Sequence, residues 1–252
     1  MAFEASWLDL REPVDHAARD HMLLDAAVTH LGDNPVIVDL GAGTGSTLRA
    51  FDGRVPGAKW RLVDGDETLL GLATERHPGI APHKLDLADL DQLPLDGAGL
   101  VTASALLDLM PRDWCERLAD LLAERRIGLY AALNYDGKMS WEPALMEDPL
   151  VTKSFNQHQR TDKGIGAALG PDAGPVLAEI FEERGYRVTT ATSPWNLGPA
   201  EAELQRQLVS GIAKAAAETG SIFAENWGYA RLAACGSTNC TVGHVDVLAL
   251  PS

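Results

Sequence analysis

Asp39-Leu40-Gly41-Ala42-Gly43-Thr44-Gly45-Ser46 follows directly on the apolar run Val36-Ile37-Val38. A short strand with no polar face belongs to a sheet buried on both sides, and therefore to a fold with helices on both faces. Three alternating glycines exceed what a strand-to-helix turn needs. They allow a tight turn and let a ligand approach the backbone, while the helix expected over 46–51 offers free amide groups behind them.

Outward from this loop the chain alternates. Asp33-Asn34-Pro35 closes a helix expected over 15–31, whose apolar stripe is Ala18, Met22, Ala26 and Leu31. Further strands are expected at 60–63, 84–85, 100–103, 127–133 and 186–191, and a last one over 244–250. Helices are expected between them at 67–76, 113–124 and 175–184. This pattern predicts an α/β fold: a doubly wound, mostly parallel, seven-stranded sheet with helices on both faces. Residues 1–32 form an N-terminal helical cap, and 33–252 a single domain with insertions at 135–170 and 199–236. Both insertions leave from the carboxyl ends of strands, where open α/β sheets place their ligand crevice.

Composition bounds the function. The chain has 252 residues, 46 % hydrophobic and 23 % charged, an ordinary globular balance. With 36 acids against 21 Lys and Arg, the net charge is −15, which repels a phosphate backbone, and no dense basic stripe offsets it. Nucleic acid is therefore not an expected partner. No apolar run reaches the ~18 residues of a membrane span. The start, Met-Ala-Phe-Glu-Ala-Ser-Trp, has an acid where an export signal needs cations. Cys115, Cys235 and Cys240 are scattered, as in a reducing compartment. A soluble cytoplasmic protein is expected, its oligomeric state open.

Asp64 ends the second strand, where a carboxylate can hydrogen-bond a ribose diol. The loop does not follow the dinucleotide spacing G-x-G-x-x-G, because its third glycine comes one residue early. Asp39 adds a negative charge that is repulsive beside a pyrophosphate and attractive beside an amino group.

In these residues the chain resembles the class I, Rossmann-like S-adenosylmethionine-dependent methyltransferases. The matching features are the Asp39-x-Gly41-x-Gly43-x-Gly45 loop, Asp64, Asp86-Leu87 after the third strand, and Leu100 to Asp108 around the fourth, including Ser104. The terminal strand suits the family's antiparallel seventh. The resemblance implies that S-adenosyl-L-methionine is the cofactor, with Asp39 and the glycine loop on its methionine part. It also puts Asp64 on the ribose hydroxyls and Asp86 on the adenine amino group. Gly65-Asp66 departs from the apolar residue that the family often has against the adenine.

The acceptor side is expected in the first insertion. Residues 153–166 hold Lys153, Arg160 and Lys163 against the single acid Asp162, a local reversal of sign. Arg160 and Lys163 are candidates to bind an anionic group of the acceptor, Arg160 by its bidentate fork. Paired with acids on the body, the same cations would be structural. His158 is the candidate general base, since unperturbed histidine titrates near neutral pH. Asp108 and Tyr135, past the fourth and fifth strands, point toward the same region. The spacing of Asp108, Asn134 and Asp136 does not match magnesium-dependent relatives, so no metal is expected. The expected function is methyl transfer to a small anionic metabolite. Two alternatives stay open: a nicotinamide-dependent oxidoreductase, and a non-catalytic cofactor-binding module that uses 199–236 to bind a protein partner.

Overall fold

The computed structural model describes residues 4–51 and 53–252. Met1–Phe3, the start of the expected cap and of the segment read for an export signal, lie outside them. Helices α1 (Ala5–Ala18) and α2 (His21–His30) precede β1 (Val36–Leu40), α3 (Ser46–Ala50), β2 (Lys59–Asp64), α4 (Glu67–Arg76), β3 (Ala81–Lys84) and β4 (Ala98–Ser104). There follow α5 (Arg112–Arg125), β5 (Gly128–Glu142), α6 (Asp148–Gln159), α7 (Ala173–Glu182), β6 (Tyr186–Thr192) and β7 (Trp195–Leu197). The chain continues through α8 (Ala202–Glu218), α9 (Ala224–Ala234) and β8 (Asn239–Pro251).

The strands form one sheet in the order β3-β2-β1-β4-β5-β8-β6, with β7 paired to β8. The first five run parallel, and β8 is antiparallel to both its neighbours. Successive side chains of β1, β2, β4, β5 and β8 enter opposite cores. Val38, Val63, Val101, Leu129 and Val247 pack with α5 and α7 on one face; Ile37, Leu62, Leu100, Tyr130 and Leu248 pack with α2 and α4 on the other. This two-sided burial is what the polar-free strands imply.

Three expectations need correction. The sheet has eight strands rather than seven, because Pro194 ends β6 and Trp195–Leu197 then pairs with Val242–Cys240. Three residues are too few for a periodic signal. The helix expected over 15–31 is two helices. Asp20 starts the second, its side chain accepting the Leu23 N–H at 2.8 Å. Leu23, Leu24 and Ala27 are then the buried stripe, and Met22 is 79 % exposed. The expected insertion at 135 also begins too early, since β5 runs on to Glu142. Register shifts after Ala131 and Tyr135 absorb the turn-like residues Asp136 and Gly137 within the strand.

The outer halves of β5 and β8, with β7, carry a third core. Trp141, Val151, Trp195, Leu204, Ile212 and Trp227 meet there, so residues from both expected insertions pack as one body. Trp7, Leu10 and Val14 of α1 pack against the same core, which draws the N-terminal helix across the carboxyl ends of the strands. Among the described residues, no helix is long and apolar enough to cross a membrane.

Candidate functional site

The glycine loop turns from β1 into α3 with Gly41, Gly43 and Gly45 at φ of 61°, 53° and 85°, the left-handed region. At Gly43 the space is closed as well. A Cβ there would stand 3.0 Å from Leu8 Cδ1 of α1, which lies over the loop. From the end of β2, Asp64 accepts the Gly43 N–H at 2.8 Å through one oxygen and the Asp66 N–H at 2.9 Å through the other. Asp66, in turn, caps α4.

A cleft of about 880 Å³ follows the carboxyl ends of β1 to β4. Its walls include Gly41, Gly43, Asp64, Asp86, Leu87 and Ser104, so six of the eight expected cofactor residues face one space. Leu8 and Arg11 of α1 close one side, and Leu106, Met110 and the segment Lys163–Ile165 the end beyond β4. The chain turns back after α6 through a tight loop in which Asp162 accepts the N–H groups of Gly164 and Gly166. That loop brings Lys163 into the cleft. Ala105, just past β4, and Leu133, within β5, both sit at positive φ (49° and 56°). Such strained backbone is held where surrounding structure over-determines it, often at sites.

Asp39 and Gly45 stand behind the cleft wall. The Asp39 carboxyl is 1 % exposed and accepts from Thr102 Oγ1 at 2.7 Å, while its other oxygen has no hydrogen-bond partner. Burial pushes this acid up to about 7, against the pull of the Thr102 hydroxyl, the Arg19 charge and the nearby Thr47 hydroxyl. Arg19, at the end of α1, is 2 % exposed. It donates from Nη2 to Ser104 Oγ at 2.9 Å, and its Nε and Nη1 have no partner. An unpaired carboxylate oxygen and two unpaired guanidinium donors are therefore buried on either side of Ser104 and the end of β1.

The acceptor-side candidates are distributed differently. Asp108 and Tyr135 are both buried, and the Tyr135 backbone N–H faces the Asp108 carboxyl. One Asp108 oxygen is unpartnered, and burial raises this acid to about 6. The Tyr135 hydroxyl donates to Asn156 Oδ1 at 2.7 Å, away from the cleft, and burial pushes its proton loss far into the alkaline range. His158 does not line the cleft. Its Nε2 lies 2.9 Å from Glu218 of α8 and its Nδ1 3.2 Å from Lys163 Nζ, so it meets the cleft only through that lysine. Burial holds the Lys163 ammonium below the usual lysine range. Arg160 also lies outside the cleft. Its fork is engaged by Asp172, at 2.9 and 3.2 Å, as in the structural alternative.

Sequence reasoning missed Arg11 and Arg19. Both stand on the helix classed as a cap, and their partners are distant in sequence: Arg11 stacks on Trp195 at 5.0 Å and Arg19 bonds to Ser104. The signal was faint. Two arginines in a helix preceding a glycine loop have no fixed spacing from it.

No family model matches this chain, and no curated protein does. Solved structures do. The YcgJ protein of Bacillus subtilis superposes with a TM-score of 0.54 at 12 % identity, over 92 % of this chain and 99 % of that one. The complex of the Haloferax volcanii Trm112 methyltransferase activator with a methyltransferase gives 0.54 at 17 % identity, over 99 % of this chain and 95 % of that one. A Galdieria sulphuraria protein assigned as a sarcosine dimethylglycine methyltransferase gives 0.51 at 11 % identity, over 91 % and 84 %. At these identities the likeness establishes the fold.

Proposed function

We propose that this chain, which has the Rossmann-like methyltransferase fold, binds S-adenosyl-L-methionine in the cleft and methylates a small anionic metabolite. The observation that carries the reading is the buried, half-satisfied pair Asp39 and Arg19 beside the glycine loop. Buried polar groups without partners are costly. An amino acid zwitterion in the cleft complements both, its ammonium on the Asp39 side and its carboxylate on the Arg19 side. A nicotinamide dinucleotide would bring a pyrophosphate toward Asp39 instead, where the like charges repel.

Asp64 and Asp86 are assigned to the ribose hydroxyls and the adenine amino group, with Leu87 against the ring, and Gly41, Gly43 and Gly45 shape the loop beneath. When bound, the cofactor supplies an electrophilic methyl carbon on sulfur. The protein's part is positional: it orients the acceptor and excludes water, which is where most of the rate comes from in a direct displacement. Leu8, Leu106 and Met110 make the acceptor end of the cleft apolar, and Arg11 and Lys163 give it positive charge. Arg11 already faces Asp15 at 2.8 Å, so Lys163 is the less neutralised of the two. His158 holds Lys163 in place through Nδ1, with Glu218 behind it. Arg160 is assigned to keeping the segment after α6 on the body. Asp108 does not line the cleft; weakened as an acid by burial, to about 6, and faced by the Tyr135 backbone N–H, it is assigned to the polar layer behind the acceptor end, next to Leu109 and Met110.

Thermal melting with S-adenosylhomocysteine tests the reading. The product analogue is expected to raise the melting temperature, because binding stabilises the folded state by RT ln(1 + [L]/Kd), and NAD to leave it unchanged. Arg19→Gln, which cannot present a charged fork, is expected to weaken the analogue about 10- to 100-fold. Stabilisation by NAD alone rejects the cofactor assignment. A second reading, a cofactor-binding partner protein, is favoured by Ile222, Phe223 and Tyr229, exposed by 83, 40 and 67 % around α9. It predicts analogue binding with no turnover on any acceptor.

A further inference from the structure

A second depression, of about 840 Å³, lies between the outer half of β5 and α6, and it shares no lining residue with the cofactor cleft. Its wall is largely apolar, with Met139, Trp141, Leu145 and Pro149, and it carries Lys153 and Arg160. Trp141 is 5 % exposed, yet its indole N–H has no hydrogen-bond partner, and neither has the buried Thr152 hydroxyl beside it. The indole cannot easily turn away. It packs edge-on against Trp227 at 5.3 Å, under the Arg231 guanidinium at 5.2 Å.

The one acid in the wall, Asp148, is fully engaged. It pairs with Arg231 and accepts the Trp227 indole N–H at 2.8 Å and the Leu145 N–H at 2.8 Å. Arg160 is paired with Asp172, whereas the Lys153 ammonium makes no ion pair among the described residues. The groups left unmatched are therefore donors on an apolar wall, one of them charged, in a protein of net charge −15. An indole N–H can only donate, so what completes it is an acceptor, and the free lysine selects an anionic one.

We propose that this depression is a second small-molecule site, for a carboxylate that carries an apolar body. The carboxylate oxygens accept from Trp141 and Lys153, and the body lies against Met139 and Leu145. This is the usual make-up of ligand pockets: an apolar surround with few, convergent polar groups. The site stands apart from the methyl-donor cleft and does not depend on its assignment.

Octanoate is the probe and octanol its neutral match, titrated into the full chain with nitrogen-labelled tryptophan. Octanoate is expected to shift the Trp141 indole N–H signal saturably, that signal being the one absent from Trp141→Phe. Should that variant not fold, contacts of the indole proton to the Met139 methyl identify it instead. Lys153→Ala, at an exposed position, is expected to weaken octanoate about three- to tenfold, and Lys153→Arg to restore it. No shift at about 10 mM octanoate, weaker than any useful affinity, overturns the proposal. So does octanol binding as tightly as octanoate, or unchanged affinity in Lys153→Ala. Displacement by S-adenosylhomocysteine also overturns it, because the probe would then be in the cleft. Failure of the analogue to bind anywhere leaves the octanoate result intact and counts against the methyltransferase reading alone.

Discussion

Asp39 holds its proton to about pH 7 because burial penalises the charged form. The unfolded chain releases that proton near pH 4. Between the two values the folded state binds a proton that the unfolded state has lost. This contribution to stability is complete below about pH 4 and disappears as pH rises through 7. Asp39→Asn, uncharged at every pH, is expected to melt higher than the wild type at pH 8 and not at pH 4, while losing affinity for S-adenosylhomocysteine at least about tenfold. Melting curves at the two pH values check it. An equal difference at both means that the carboxylate is not the buried charge. The position of Asp39 was legible because it is local: two residues before a glycine, at a strand end. The placements of His158 and Arg160 were not. Each is decided by a partner on another element, Glu218 or Asp172, and a charge on a loop carries no mark of the acid it will meet.

At the scale of elements, strand ends were the most readable feature and helix breaks the least. The cofactor side of the cleft is assembled from consecutive β-to-α turns, each signalled by apolar residues giving way to glycine or acid. By contrast, the division of the N-terminal helix rests on Arg19 and Asp20 finding partners in β4 and β8. The end of β4 stores strain in this arrangement. Ala105, at φ 49°, donates its N–H to the Ala132 carbonyl at 2.9 Å, which pins it in the left-handed region. A left-handed alanine costs about 1–2 kcal/mol, and glycine largely removes that cost at some expense in unfolded-state entropy. Ala105→Gly is expected to stabilise the protein by about 0.5–1 kcal/mol, read as a higher urea midpoint. A lower midpoint would mean that the methyl group, rather than the turn, matters there.

For the whole molecule, Asp246 is the point at which the ends of the chain are joined. Fully buried on β8, it accepts the Asp20 N–H and the Tyr130 hydroxyl at one oxygen, and the Leu133 N–H and the Ser193 hydroxyl at the other. Asp246→Ala strands four donors, and losing a buried network of this kind is expected to cost about 3–5 kcal/mol. Urea unfolding measures it. A loss under about 1 kcal/mol would show that water replaces the carboxylate freely. The position of β8 has a consequence in time. The strand that separates β5 from β6 is the last of the eight to leave a ribosome. Until residues 239–251 emerge, β5 and β6 have no neighbour on their facing edges, and the bulk of the chain waits with open strand edges. Synthesis therefore passes through a long incomplete stage, the kind of exposed intermediate on which chaperones act.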